Sequence, residues 1–269
     1  MKRIKTIVAT AVMGVVLAGS LAALARCQPF IDDTLIKKSP EGKIQRHDGF
    51  VELRAIKQCA KLDDATREKI KPMAREWLLD VQQQVIDNLD FIAEIEPFDG
   101  SPGVFDSYDP ANPKATERVN TYGRQLNAPG TLINQLEFRR LIDAKQAEAT
   151  RKLVYEYDQD VLREVMGATP DQKETSRHLY RVGHRDAMGM FHRLLDRAAG
   201  VIDEAAASLK LPESVAISSQ VAAVKAAADQ GAKRAAVKAL LAKMSLAQQR
   251  MLLNKVKELT PIKDPFGVL

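Results

Sequence analysis

The sequence predicts an all-α protein: an elongated helical bundle built on a long antiparallel helix hairpin, preceded by an N-terminal export or anchor helix. Apolar residues recur at three- and four-residue steps through most of the chain, the period of an amphipathic helix. Capping residues, prolines and glycines punctuate those runs where helices should begin and end. Strand-like alternation is scarce.

The chain opens with Lys2, Arg3 and Lys5, followed by residues 6–25, a stretch of 20 residues without a charge. As a helix at roughly 1.5 Å per residue it would cover about 30 Å, enough to cross a bilayer core. Ala23-Leu24-Ala25 has the small-x-small form of a signal-peptidase site, so residues 1–25 read as a signal peptide or a membrane anchor. Gly14 and Gly19 weaken the segment as a permanent span. In either case the positive flank stays in the cytoplasm, which places the chain from Arg26 onward outside it, in the periplasm or an equivalent extracytoplasmic space. Cys27 follows Leu24-Ala25 as in a lipobox, but Arg26 stands where a small residue is required.

The formal charge of +5 falls on inspection, because Lys2, Arg3, Lys5 and Arg26 lie in or beside the export segment. The exported part is near neutral and makes no electrostatic case for nucleic acid. Its two cysteines, Cys27 and Cys59, lie where a disulfide persists, and a bridge between them would contribute roughly 3–4 kcal/mol on the chain-entropy model. Two free thiols are the alternative.

Residues 26–62 carry Pro29, Ser39-Pro40, Gly42 and Gly49 and read as an extended leader. A short helical piece over 50–61 would align Val51, Ile56 and Cys59. The bundle domain spans 63–209. Its first helix runs over 63–95, reset by a kink at Pro72, with Leu78, Val81, Val85, Leu89 and Ile92 on one stripe and Trp77 as a core anchor beside it.

Residues 97–130 are rich in Pro and Gly and contain Asp99, Asp106, Tyr108 and Asp109. Their spacing departs from the calcium-loop template. A compact surface loop pinned by Phe98, Phe105 and Tyr108 is the simpler expectation, with Asn112-Pro113 capping a helix through Val119, Tyr122 and Leu126.

Residues 131–166 contain neither Gly nor Pro and predict one long helix. Gly167 stops it, and Thr169-Pro170-Asp171-Gln172 supplies the cap of the next. That helix reads Tyr180, His184, Ala187, Phe191, Leu194, Ala198, Val201 and Ala205 in alternating four- and three-residue steps, a coiled-coil-like seam. Two such helices joined by a short turn form the hairpin.

Residues 210–269 form an Ala-rich helical tail, with helices over 214–229, 232–244 and 246–259 and a capping box at Ser245 to Gln248. The tail holds ten basic residues against Glu213, Asp229, Glu258 and Asp264. A solvated helix face explains that excess, as would contact with anionic lipid or an acidic partner.

Signatures of chemistry are sparse. G-x-S-x-G, H-E-x-x-H, the P-loop and G-x-G-x-x-G do not occur. One cluster stands out: His178, His184, Met188, Met190 and His192. His184, Met188 and His192 step by four along one face, and imidazole with thioether is a soft donor set suited to copper or haem iron. A histidine bonded within the seam beside methionine core filler is the competing explanation. The caps at Thr169 and Ser245 faintly resemble the L-T-x-x-Q motif of the periplasmic helical stress chaperones and heavy-metal sensors; that resemblance would imply an exported, dimeric, all-helical protein, although capping alone accounts for both segments.

The leading functional expectation is therefore a non-enzymatic cell-envelope protein that binds another envelope protein or the membrane surface, with helix packing offering a route to a homo-oligomer. A metal- or haem-responsive periplasmic sensor or stress chaperone comes second. A hydrolase of unfamiliar type comes third.

Overall fold

The structure, a computed structural model, describes residues 37–38, 44–46, 50–59, 62–126, 131–168, 171–209 and 217–268. The export segment, Cys27 and the Thr169-Pro170 cap lie outside the described residues, and with them the Cys27–Cys59 bridge. Among the described residues the chain is helical apart from a two-stranded antiparallel pair, β1 (Lys37–Lys38) with β2 (Ile44–Arg46). No helix among the described residues is long and apolar enough to cross a membrane.

The helices are α1 (Val51–Cys59), α2 (Asp64–Asp87), α3 (Leu89–Ile95), α4 (Pro113–Leu126), α5 (Leu132–Phe138), α6 (Ala144–Ala168), α7 (Gln172–Gly183), α8 (Arg185–Ser208), α9 (Ile217–Ala226), α10 (Gln230–Leu241) and α11 (Leu246–Leu259), ending in a 3-10 turn, Phe266–Val268. Helix α8 is the hub. It packs against α2, α7, α9, α10 and α11. Its buried stripe of Ala187, Met190, Phe191, Leu194, Leu195, Ala198, Ile202 and Ala205 follows the expected seam as far as Ala198, after which a kink at Val201 buries Ile202 in place of Val201. The stripe of α2 and α3 is faithful throughout: Leu78, Val81, Val85, Leu89 and Ile92 are buried, and so is Trp77, whose ring meets Phe50 edge-on at 6.4 Å.

Several boundaries differ from expectation, each for a local reason. Helix α2 runs through Pro72 and breaks instead at Asn88, whose backbone N–H and side-chain Nδ2 both donate to the Gln84 carbonyl. The carbonyl that Pro72 deprives of a donor belongs to exposed Glu68, where water can replace it. The expected long helix over 131–166 is interrupted between α5 and α6. Arg140 adopts φ 57°, its N–H donates to the Glu137 carbonyl, and the Leu141 N–H donates to the Leu136 carbonyl. This is the Schellman stop, built here with arginine where glycine is usual. Helix α6 then restarts from a reciprocal cap, Gln146 N–H to Asp143 Oδ1 and Asp143 N–H to Gln146 Oε1. The seam helix is likewise divided, with His184 (φ −106°, ψ 10°) ending α7 and starting α8.

The leader ends in the short helix expected there, and that helix is a core element. In α1, Val51, Leu53, Ala55 and Ile56 are fully buried, and the helix packs against α5 and α6. The tail helices also join the main core, since Val224, Val237, Leu240, Leu241, Leu252, Leu253 and Val256 share one apolar cluster with α2 and α8. Its basic side chains turn toward the acids of the bundle: Arg234 forks onto Asp196 at 2.9 and 2.7 Å, and Lys238 reaches Glu96 at 3.2 Å. The capping box expected at Ser245 is present, with the Ser245 N–H donating to Gln248 Oε1.

Candidate binding cleft

The loop between α3 and α4 builds the floor of the site. Its aspartates serve as turn makers: Asp99 accepts from the Ser101 N–H and hydroxyl, Asp106 from the Gly103 N–H, and Asp109 from the Ala111 N–H. Gly103 is required where the loop returns over α3, because a Cβ there would lie 1.9 Å from the Ile95 carbonyl oxygen. The turns drive Phe98, Phe105 and Tyr108 inward, as the sequence led one to expect, leaving Phe105 only 1 % exposed. Asn112 Oδ1 then accepts from the Lys114 N–H at 3.1 Å and α4 begins at Pro113.

Phe105 is the plate on which α7 rests. The Tyr180 ring stacks on it at 5.8 Å with an interplanar angle of 3°, and the His184 ring at 5.7 Å and 9°. The Tyr180 hydroxyl lies 3.2 Å from that of Tyr108, a hydrogen bond which, helped by burial, raises the Tyr180 phenol to about 12. Above this aromatic layer α4 and α7 leave an open cleft of about 590 Å³. Helix α4 contributes Val119, Asn120 and Arg124; helix α7 contributes Leu179, Tyr180, Gly183 and His184.

His184 is the unusual member. Its side chain is 3 % exposed, and its Nδ1 is buried without a hydrogen-bond partner among the described residues. Burial lowers its imidazole to about 4, so the ring is neutral at physiological pH and offers one N–H donor and one lone pair. An imidazole so placed loses water without gaining a protein partner, a net cost to folding. Leu179 sits at the mouth with 47 % of its surface exposed.

The other residues singled out from the sequence separate here. His192 Nε2 lies 2.8 Å from Glu96 Oε2, and Lys238 takes the other oxygen of that carboxylate. Burial would raise the Glu96 carboxyl, but His192 and Lys238 outweigh it and hold it at about 2. Met188 is half-buried against the core and Met190 is wholly buried. Of the set His184, Met188 and His192, the first thus stacks on Phe105 at the cleft and the last ties α8 to Glu96, the carboxylate at the end of α3 that Lys238 of the tail also reaches. Among the described residues no group of three or more His, Cys, Asp or Glu side chains is arranged to hold a metal ion.

A second polar centre, which sequence reasoning missed, lies under α1. Glu52 is 8 % exposed and accepts the Ile133 N–H at 2.5 Å, at the start of α5. Burial raises its carboxyl to about 7, helped by the nearby Asp186 charge and opposed by backbone hydrogen bonds and Arg185. Asp186 itself accepts the Phe50 N–H at 2.6 Å, and Arg185 pairs with Asp158 while lying over the Tyr157 ring. The centre fastens α1, α5, α6 and α8 together.

No protein-family model, curated protein or solved structure matches the chain. Function must therefore be argued from the site alone.

Proposed function

We propose that this is an exported, non-enzymatic binding scaffold of the cell envelope, and that the cleft between α4 and α7 is where it binds. The bundle raised on residues 131–209 and the N-terminal export or anchor helix belong to this proposal. The observation that carries it is His184, whose buried Nδ1 has no hydrogen-bond partner among the described residues, set in the wall of an open cleft. Buried polar groups are rarely left in that state, and a ligand able to bond the imidazole would remove the cost.

The cleft supports binding more than it supports reaction. Its described lining provides one imidazole, one phenol, one amide and one guanidinium, and the phenol is hydrogen-bonded to Tyr108 and pushed up to about 12, far from the value that suits a general acid or base near neutral pH. Arg234 and Lys238 of the tail are engaged with bundle carboxylates, which favours a soluble ligand or a protein partner over an anionic lipid surface.

Two measurements on one fusion test the proposal. Alkaline phosphatase joined after Leu269 should be active, since that enzyme matures only outside the cytoplasm; strong signal from a cytoplasm-only reporter at the same place would overturn the address. The purified fusion should retain small molecules from an envelope extract that Gly183→Leu does not retain. A Cβ at Gly183 meets nothing within 4 Å, so the leucine can enter the cleft without straining the fold. Equal retention by both proteins would remove the cleft from its assigned role.

A further inference from the structure

We propose that the cleft binds a small aryl carboxylate, an aromatic ring of one or two cycles bearing one carboxylate group; this inference rests on the cleft being the binding site. Three features of the lining select that chemistry.

The first is charge. Arg124 is the one ionised side chain among the described lining residues, none of which is a carboxylate. It is exposed, it reaches Thr121 Oγ1 through a long hydrogen bond of 3.5 Å, and it forms no ion pair among the described residues. Arg185 and Arg234, by contrast, are each engaged with a carboxylate. Asn120 lies one helical turn before Arg124 on the same face of α4, so a guanidinium fork and an amide donor stand side by side at the rim. That pair matches the two oxygens of a carboxylate, and a cation would be repelled.

The second is shape. The rings of Phe105, Tyr180 and His184 lie nearly parallel, at 3° and 9° to Phe105. Tyr180 is the part-exposed member of that stack, and a flat ligand can lie against its ring where a puckered one touches only at its edges. Leu179 and Val119 close the sides. Covering the half-exposed Leu179 side chain adds apolar burial of the ordinary kind.

The third is the imidazole. Neutral His184 can donate to a carboxylate or phenol oxygen without importing a second positive charge, so the apolar end of the cleft stays apolar while gaining one directional bond. At about 590 Å³ the opening is of the size that takes small organic ligands, and it is larger than one ring needs, which leaves room for a second ring or a substituent.

The test uses the full chain recovered from the envelope, with Leu179 methyl and His184 ring signals followed by NMR. The probes are benzoate, benzamide, benzylamine, cyclohexanecarboxylate and acetate. Benzoate should move both signals saturably; cyclohexanecarboxylate should bind several-fold more weakly, and benzylamine and acetate should leave them in place. Arg124→Gln, a surface change, should weaken benzoate about tenfold or more, and Gly183→Leu should abolish the shifts. If benzylamine or benzamide moves the signals as strongly as benzoate, the cleft remains a binding site but the carboxylate assignment is overturned. If benzoate binding survives both variants unchanged, it is adventitious and the assignment is likewise overturned. If no probe moves either signal, the aryl carboxylate assignment is overturned, while retention of envelope molecules by wild type and not by Gly183→Leu decides the cleft's role separately.

Discussion

Phe191→Ala should lower the stability of the folded chain by about 3–5 kcal/mol, the range for deleting a fully buried aromatic side chain. Phe191 lies in the second turn of α8, has no exposed surface, and stacks on Phe98 with ring centroids 5.5 Å apart. Its removal opens a cavity where the hub helix meets the floor loop, and neither neighbour can collapse into it without disturbing the turns that place Phe105. Domains of this kind are stable by only about 5–15 kcal/mol, so the variant should stand near the edge of unfolding. Trp77, the single tryptophan and 1 % exposed, reports the transition by fluorescence in a urea titration. A loss below about 1 kcal/mol would mean that α8 is not the hub.

Glu52→Gln should change how stability depends on pH by about 3 kcal/mol. The Glu52 carboxyl ordinarily titrates near 4.5 and is raised to about 7 by burial in the fold. Between those values the folded state holds a proton that the unfolded state has lost, so stability falls as pH rises. The contribution is complete below 4.5 and gone above 7. Glutamine keeps an acceptor for the Ile133 N–H and carries no charge to bury. The variant should therefore match the wild type near pH 4.5 and exceed it near pH 8, with Asp186 and Arg185 unchanged beside it. His184 acts in the opposite sense: its imidazole is pushed from 6.5 to about 4 by burial, so its contribution is present above 6.5 and lost as pH falls through 4. The two trends oppose each other over the middle of the range, and the wild-type profile should be flatter than that of Glu52→Gln. Urea midpoints at pH 4.5, 6 and 8 check this; parallel profiles for the two proteins would show that Glu52 is not buried as described.

The helical elements were largely legible because burial in a bundle is written as periodicity. The stripe from Leu78 to Ile92 was read directly and is buried, and the seam from Ala187 to Ala198 likewise; past it the helix kinks at Val201, φ −127° and ψ 19°, so that Ile202 takes the buried place expected for Val201. The breaks were harder. Arg140 occupies a left-handed position that sequence reasoning reserves for glycine, so the stop before α6 carried no usual sign. The restart did carry one, since Asp143 and Gln146 have capping-box spacing; it was hidden by reading 131–166 as continuous. The division at His184 lies beside Gly183 in a stretch otherwise compatible with helix, where packing on Phe105 decides the geometry. Helix α1 was undervalued because its neighbourhood is rich in charge, and a buried Glu52 cannot be told from a solvated one without its tertiary partners.

The cleft was legible only in part. His184 stood out as a polar residue on an apolar seam, and its burial agrees with that reading. Its grouping with Met188 and His192 rested on helical spacing alone, and spacing does not say which other element each side chain meets. Phe105, Arg124 and Leu179 come from a loop and two helices distant in sequence, so their meeting is a product of tertiary structure.

The most direct test of the cleft as a binding site is a set of melting curves for wild type and His184→Leu, each alone, with sodium benzoate and with copper(II). If His184 is retained for a ligand at the expense of the fold, His184→Leu alone should melt a few degrees higher, because leucine removes a buried polar group worth roughly 1–3 kcal/mol. Benzoate should raise the melting temperature of the wild type by mass action and leave the variant nearly unmoved. A wild type indifferent to benzoate, together with a copper-induced rise that disappears in His184→Leu, would contradict this and return His184 to the metal set with Met188 and His192.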